Sequence, residues 1–141
     1  DQWDELKQRE RGDRSALTGI PTGLPALAYA QAVQRRASRA GFAYENGGQA
    51  WEALEEELEE FRAAATPEER ADELGDALFA LANVARWHGV EAEDALRDTC
   101  RGFTHIFRQM ENIVADRGID LTAAPTADKL ALWQEAKSKR N

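Results

Sequence analysis

The sequence predicts an all-α protein with a four-helix-bundle-like core and a shorter helix at each end. Three observations predict it. Apolar residues recur at three- to four-residue steps through most of the chain, no segment alternates apolar and polar residues over a useful length, and Gly and Pro divide the sequence into helix-sized pieces. No internal repeat interrupts this pattern.

A short charged first helix gives way to a loop between Gly12 and Pro25, where Thr18-Gly-Ile-Pro-Thr-Gly-Leu-Pro concentrates turn-forming residues. The second helix is expected from Leu24 to Ala40, with Leu27, Ala30, Val33 and Ala37 on its apolar face and Gly41 as its stop. Asn46-Gly47-Gly48 reads as a second break. The third helix is expected from Gln49 to Ala65, with a buried stripe of Trp51, Leu54, Leu58, Phe61 and Ala65. Thr66 is placed to cap the fourth helix, with Pro67 at its first position, and that helix runs to about His88 on a stripe of Leu74, Leu78, Leu81 and Ala85. Gly89 ends it. The fifth helix runs from about Glu91 to Arg117 with Leu96, Phe103, Phe107, Met110 and Val114 as its seam. Gly118 and Pro125 close that pattern, and a last short helix carries Leu130, Trp133 and Lys137. Short connections make successive helices antiparallel neighbours. The whole is expected to be one domain over 1–141: an N-terminal helix and loop over 1–23, core helices over 24–117, and a C-terminal loop and short helix over 118–141.

Length and composition fit this picture. The 141 residues are 43% hydrophobic and 31% charged, the balance of an ordinary globular domain. The formal charge of −8 disfavours direct contact with duplex nucleic acid, and the one basic cluster is the tail Lys137, Lys139, Arg140. Cys100 is the single cysteine, so an intrachain disulfide and a multi-cysteine zinc site are both excluded, and a reducing compartment, the cytoplasm, is expected. No run approaches the roughly 18 apolar residues of a membrane span, and Asp1–Arg14 lacks the apolar core of a signal peptide. The chain starts without Met, which suggests a fragment or processed form with further sequence upstream.

The chemistry is concentrated between Trp51 and Phe61, where six of the nine intervening residues are Glu. At about 100° per residue, Glu52, Glu55, Glu56 and Glu59 point away from the apolar stripe, whereas Glu57 and Glu60 fall on the edge where the helix meets its neighbours. On the next helix Glu73, Asp76 and Asn83 line one edge at i, i+3 and i+10. Two facing acidic edges are strongly unfavourable unless protonated or neutralised by a cation. All-oxygen ligands without His or Cys point to Mg²⁺ or Mn²⁺ rather than zinc. The plainer alternative is a solvated acidic face, since Glu-x-x-Glu is common on exposed helices. Gly75, unfavourable in a helix interior by about 1 kcal/mol relative to Ala, argues for close packing or a functional need at that point.

The pairs Glu56-Glu57-Leu-Glu-Glu60 and Glu73-Leu-Gly-Asp76 resemble the E-E-x-x-E and E-x-x-D motifs of the MazG family of nucleoside triphosphate pyrophosphohydrolases. The resemblance extends through Trp3-Asp-Glu-Leu-Lys, Gly19 to Leu27, Gly41-Phe42, Glu73 to Arg86 and Leu132 to Lys137, and matches the C-terminal catalytic half of two-domain members. It implies an all-α homodimer, possibly a higher homo-oligomer, in which both subunits build each site. It also implies the reaction NTP + H₂O to NMP + pyrophosphate, with Mg²⁺ (or Mn²⁺) held by Glu57, Glu60, Glu73 and Asp76. Glu56 or Glu57 is the candidate base. Trp133 would cover the nucleoside, and Lys137 and Asn83 are candidate substrate contacts.

One stretch departs from the family. Where typical members carry Asn-x-Lys-Phe-x-Arg-Arg-Phe, a basic strip for the triphosphate, this chain has Cys100-Arg-Gly-Phe-Thr-His-Ile-Phe107, and two further positions that are often basic are Ala53 and Glu69. Arg101, His105 and Arg108, at i, i+4 and i+7, form either a substitute cationic stripe or an ordinary solvated face. His88 is expected to favour the helix dipole at a C-terminus rather than bind metal, and Cys100 to be a small buried residue rather than a nucleophile. The rival to an active pyrophosphohydrolase is a degenerate relative that binds metal or nucleotide in a regulatory role. A purely structural helical module is the third reading.

Overall fold

The computed structural model describes residues 1–139, with only the backbone described at residues 8 and 11–13. Arg140 of the basic tail lies outside the described residues. Six helices and no strand occur among them: α1 (Gln2–Asp13), α2 (Ala26–Arg39), α3 (Gly47–Ala63), α4 (Pro67–Trp87), α5 (Ala92–Arg117) and α6 (Thr126–Ser138). The all-α expectation is met. None of these helices is long and apolar enough to cross a membrane.

The termini follow capping chemistry. The Thr66 hydroxyl accepts from the Glu69 N–H at 3.1 Å, and the Glu69 carboxylate accepts from the Ala65 N–H at 2.9 Å, a reciprocal pair that fixes the start of α4. The Asn46 side chain likewise accepts from the Gln49 N–H at 3.0 Å. Gly47 and Gly48 are therefore the first turn of α3, and the break expected there is an N-cap. Gly41 and Gly89 take φ of 102° and 70°, and each is followed by a residue whose N–H returns to the preceding helix, Phe42 to Ala37 O and Val90 to Ala85 O, both at 2.9 Å. This is the left-handed stop that glycine supplies at a helix C-terminus.

The chain divides into two compact units, residues 1–93 and 94–141. In the first, α4 packs on both α2 and α3. Ala50 and Leu54 of α3 meet Ala80 and Val84 of α4, while Trp51 reaches His88 and Glu57 faces Glu73, so the two helices run antiparallel. Trp51 Nε1 donates to His88 Nε2 at 3.0 Å, which gives the C-capping histidine a partner besides the helix end. Gln31, fully buried on α2, donates from Nε2 to Ala82 O at 3.0 Å and Val90 O at 2.9 Å, and its Oε1 accepts from Ala92 N–H at 3.0 Å. One side chain thus ties α2 to the end of α4 and caps the first turn of α5. In the second unit Ile106, Met110 and Ile113 of α5 pack against Leu132 and Ala136 of α6, and Arg117 forks onto the Glu135 carboxylate.

The expected apolar stripes are corrected. Of the stripe expected on α3 only Leu54 is buried, Trp51 and Leu58 are exposed, and Ala65, also exposed, lies beyond the helix end. On α4 Leu74, Leu78 and Leu81 are 42–49% exposed, and the buried residues are Ala77, Ala82 and Val84. The physical reason is that α4 carries two apolar faces, and its small-residue face is the one that packs within the chain. On α5 Leu96 and Phe103 are half-exposed, and the buried seam runs through Ile106, Met110 and Ile113. Cys100 is exposed, not buried, because that seam passes it by. Gly75 faces open space, so close packing does not explain it within this chain.

Candidate metal centre

The antiparallel pairing of α3 and α4 sets the acidic edges against each other. Carboxylate oxygens of Glu57, Glu60 and Glu73 all lie within 4.8 Å of one another. Glu57 and Glu73 are half-buried and Glu60 is exposed, so the cluster has a closed inner side and an open outer one. Glu57 Oε2 and Glu73 Oε2 are buried without any hydrogen-bond partner. Such orphans are uncommon, because an unpaired buried acceptor loses its hydration without recompense.

Electrostatics say the same thing. Burial raises the pKa of Glu57 above its ordinary 4.5, and the negative charges of Glu60 and Asp76 raise it further. Glu73 is raised first by burial, then by a side-chain hydrogen bond to Glu60 and by the charges of Glu60, Asp76 and Glu57. Two carboxylates can share a hydrogen bond only if one keeps a proton, so full ionisation is disfavoured until a positive charge takes the proton's place. Hard oxygen donors, two buried and unpaired, fit a hard divalent cation. This acidic cluster can hold a metal.

Asp76, the fourth expected ligand, stands beside this group. It is exposed, its charge acts on both Glu57 and Glu73, and with Glu57 it lines a cavity of about 260 Å³. Asn83 belongs to the same cavity wall. Its Oδ1 accepts from Arg86 Nε at 3.1 Å, which fixes the amide and leaves its NH₂ end as a donor. Glu56 lies on the outer side with Glu52, Glu55 and Glu59, as the helical wheel predicts, and Glu60, expected on the inner edge, is exposed at the border of that face while still reaching the cluster.

The remaining candidates belong to the second unit. Arg101, His105 and Arg108 are all exposed on α5, and Arg101 pairs with Asp98 at 3.6 Å. Trp133 packs on the Ile106–Leu132 core with its ring 5.1 Å from that of Phe103, and Trp133 and Lys137 line a cavity of about 430 Å³ with Asp98 and Phe103.

Sequence reasoning missed the aromatic and polar surroundings of the acidic site. Tyr44 and Phe79 wall the cavity of Glu57 and Asp76, and together with Asn83 they also wall a second cavity of about 370 Å³ lined by Gln34, Phe42 and Arg86. Burial and the neighbouring Arg35 lower the Arg86 pKa. The available signal was two aromatics among the four residues between Gly41 and Asn46, dense for a surface loop.

Comparison with known proteins gives this geometry its context. No family profile matches the chain. Among curated proteins, the chain is 35% identical over 138 residues to the nucleoside triphosphate pyrophosphohydrolase/pyrophosphatase MazG of Thermotoga maritima, an alignment covering 96% of this chain and 54% of that protein. It is 36% identical over 143 residues to the nucleoside triphosphate pyrophosphohydrolase of Escherichia coli K12, with the same coverage. An uncharacterised Bacillus subtilis protein, YabN, is 42% identical over 65 residues, 46% of this chain and 13% of that protein. The chain spans about half the length of the first two relatives. The chain is thus similar over nearly its whole length to about half of each of these two proteins, and its all-α fold and acidic motifs agree with that likeness.

Proposed function

We propose that residues 1–141 act as one catalytic domain that hydrolyses nucleoside triphosphates to the monophosphate and pyrophosphate, clearing canonical or damaged nucleotides from the pool. The observation that carries this reading is the convergence of Glu57, Glu60 and Glu73 with two buried, unpartnered oxygens. Glu57, Glu60, Glu73 and Asp76 would hold Mg²⁺, with Mn²⁺ as a substitute. Held there, a divalent ion would supply positive charge to offset that of the phosphates. The chain's own part is to orient a water for attack on the α-phosphorus and to accept its proton on Glu56 or Glu57 as the bond to the bridging oxygen breaks and pyrophosphate departs. Asn83, Trp133 and Lys137 are the proposed contacts to the nucleotide, with Arg101, His105 and Arg108 as a reduced cationic stripe.

The relatives' names support the substrate class. The exposure of Trp51 and Leu58 on α3 and of Leu74, Leu78 and Leu81 on α4 supports a homodimer, since large apolar side chains left at the surface suit an interaction face. The proposed location is the cytoplasm, with which a free, exposed Cys100 is compatible.

A second reading has one observation in its favour. The strip from Cys100 to Phe107 keeps neither Arg of the family pattern, and its one Arg, Arg101, pairs with Asp98, so the chain suits a regulator that binds metal or nucleotide without efficient turnover. The deciding experiment is pyrophosphate release from a panel of NTPs, dNTPs and oxidised nucleotides with Mg²⁺ or Mn²⁺. Turnover abolished by Glu57→Gln and Asp76→Asn is the expected result. Metal-dependent thermal stabilisation without turnover favours the regulator, and neither effect favours a structural module.

A further inference from the structure

Arg86 is a half-buried charge without a counter-charge. Among the described residues no carboxylate pairs with its guanidinium, whereas the neighbouring Arg35 has Glu91 at 3.6 Å. Burial and the charge of Arg35 both lower the Arg86 pKa, so the fold disfavours the ion it carries. Such a residue needs a reason other than ion pairing. Its guanidinium carbon lies 5.7 Å from the Trp87 ring centre, and its side-chain hydrogen bond among the described residues runs from Nε to Asn83 Oδ1 at 3.1 Å, one turn back on α4.

That bond decides which end of the Asn83 amide is free. Asn83 lines the cavity of Glu57 and Asp76, and Arg86 does not, so any effect of Arg86 there passes through Asn83. The oxygen and nitrogen of a planar amide diverge. Drawing Oδ1 toward the C-terminal turn of α4 therefore turns Nδ2 back toward Phe79 and Ala80, which wall the same cavity. Nδ2 has no partner among the described residues, yet it is not enclosed: the enclosed, unpartnered side-chain atoms are Gln34 Oε1, Glu57 Oε2 and Glu73 Oε2. It is a free donor with accessible surface. Without the Arg86 bond the amide could present either end, and an outward Oδ1 would meet phosphate oxygens with like partial charge.

We propose that Arg86 is a positioning residue: by holding Asn83 Oδ1 it commits the amide to donate from Nδ2 to a phosphate oxygen of the nucleotide seated at the carboxylates. The proposal rests on the nucleotide reading above and adds to it the residue that fixes the polarity of Asn83. The donor so presented is neutral, and the charge that orients it stays outside the cavity of Glu57 and Asp76.

A double-mutant cycle read by equilibrium binding separates this role from a structural one and stands apart from turnover. The probe is the tightest-bound of the α,β-methylene analogues of ATP, GTP, CTP and UTP, titrated calorimetrically with Mg²⁺ present. Asn83→Ala should weaken binding about ten-fold, the scale of a hydrogen bond to a charged group, and Arg86→Met roughly three- to ten-fold. In the Asn83→Ala chain, Arg86→Met should then change affinity by less than about two-fold, because its effect runs through an amide no longer present. Losses that multiply show Arg86 acting on its own and overturn the proposal, as does an Arg86→Met chain that binds like the native one. Should Arg86→Met fail to fold, Arg86→Lys enters the same cycle, keeping the charge without the flat fork that holds the amide plane. A loss seen only with Asn83 present supports the proposal; equal losses with and without it, or none in either, overturn it. Binding without pyrophosphate release would sink the catalytic reading and leave the cycle intact, and a native chain that binds none of the four analogues overturns both.

Discussion

Replacing Gln31 by Met removes three hydrogen bonds while nearly conserving side-chain length and volume. The bonds are those to Ala82 O, Val90 O and Ala92 N–H, all at 2.9–3.0 Å around a side chain with no solvent exposure. At about 1 kcal/mol net per bond the loss is roughly 3 kcal/mol. Ala82 O belongs to a helix interior and keeps a backbone partner, so the cost falls mainly on Val90 O and on the Ala92 N–H at the first turn of α5. Against a total stability of roughly 5–15 kcal/mol this is a large share. It should lower Tm by about 10 °C for a chain of this size. Urea denaturation should show a midpoint lower by roughly 1.5–2 M with an unchanged slope. A Gln31→Met chain within about 1 kcal/mol of the native one would refute the reasoning, because it would mean that water or a shifted backbone satisfies those groups at no net cost.

Two further outcomes follow from the same geometry. Glu57 and Glu73 have pKa values raised in the folded state, so between the ordinary 4.5 and those raised values the folded chain binds protons that the unfolded chain has lost. Their contribution to metal-free stability therefore worsens as pH climbs from about 4.5 toward neutrality. In EDTA, Glu73→Gln should be more stable than the native chain by a margin that widens with rising pH, and saturating Mg²⁺ should reverse the order; a margin independent of pH would count against the raised pKa. On the outer face of α4, Leu78→Glu and Leu81→Glu introduce charge at half-exposed leucines. Sedimentation velocity should show a native dimer and a monomeric variant with the same helix content, and a native chain that sediments as a monomer would defeat the dimer.

The helices were legible in the sequence because their ends are written in side-chain chemistry: Thr66 with Pro67, and Gly41 and Gly89 at φ values few other residues adopt. The carboxylates were legible too, since helical spacing alone places Glu57 and Glu60 on one edge and Glu73 and Asp76 on another. Periodicity failed on α4 for a physical reason. It finds an apolar face but not what covers it, and here the alanines pack inside the chain while Leu74, Leu78 and Leu81 stay at the surface. Gln31 and Gln34 were missed because an amide looks like a surface residue until its partners are known, and those lie 45 to 61 residues away. Their place on the wheel was a clue, since they follow Leu27 at i+4 and i+7 on its own face.

The small side chains between α3 and α4 carry a consequence of their own. Ala50 and Ala80 pack with Leu54 and Val84, and Ala77, also buried, precedes Ala80 by three residues on the same face of α4. Methyl groups have no rotamers, so the gap between these two backbones is a fixed gauge rather than a spring. Glu57 and Glu73, rooted on either side of that gauge, start from a fixed backbone separation, which limits the side-chain torsions that can bring their carboxylates together. A fixed separation would favour one range of ionic radius over another once a cation is bound. Selectivity among divalent ions would then reside in alanines that never touch the ion, and Ala77→Val should open the gauge and shift preference toward the larger radius.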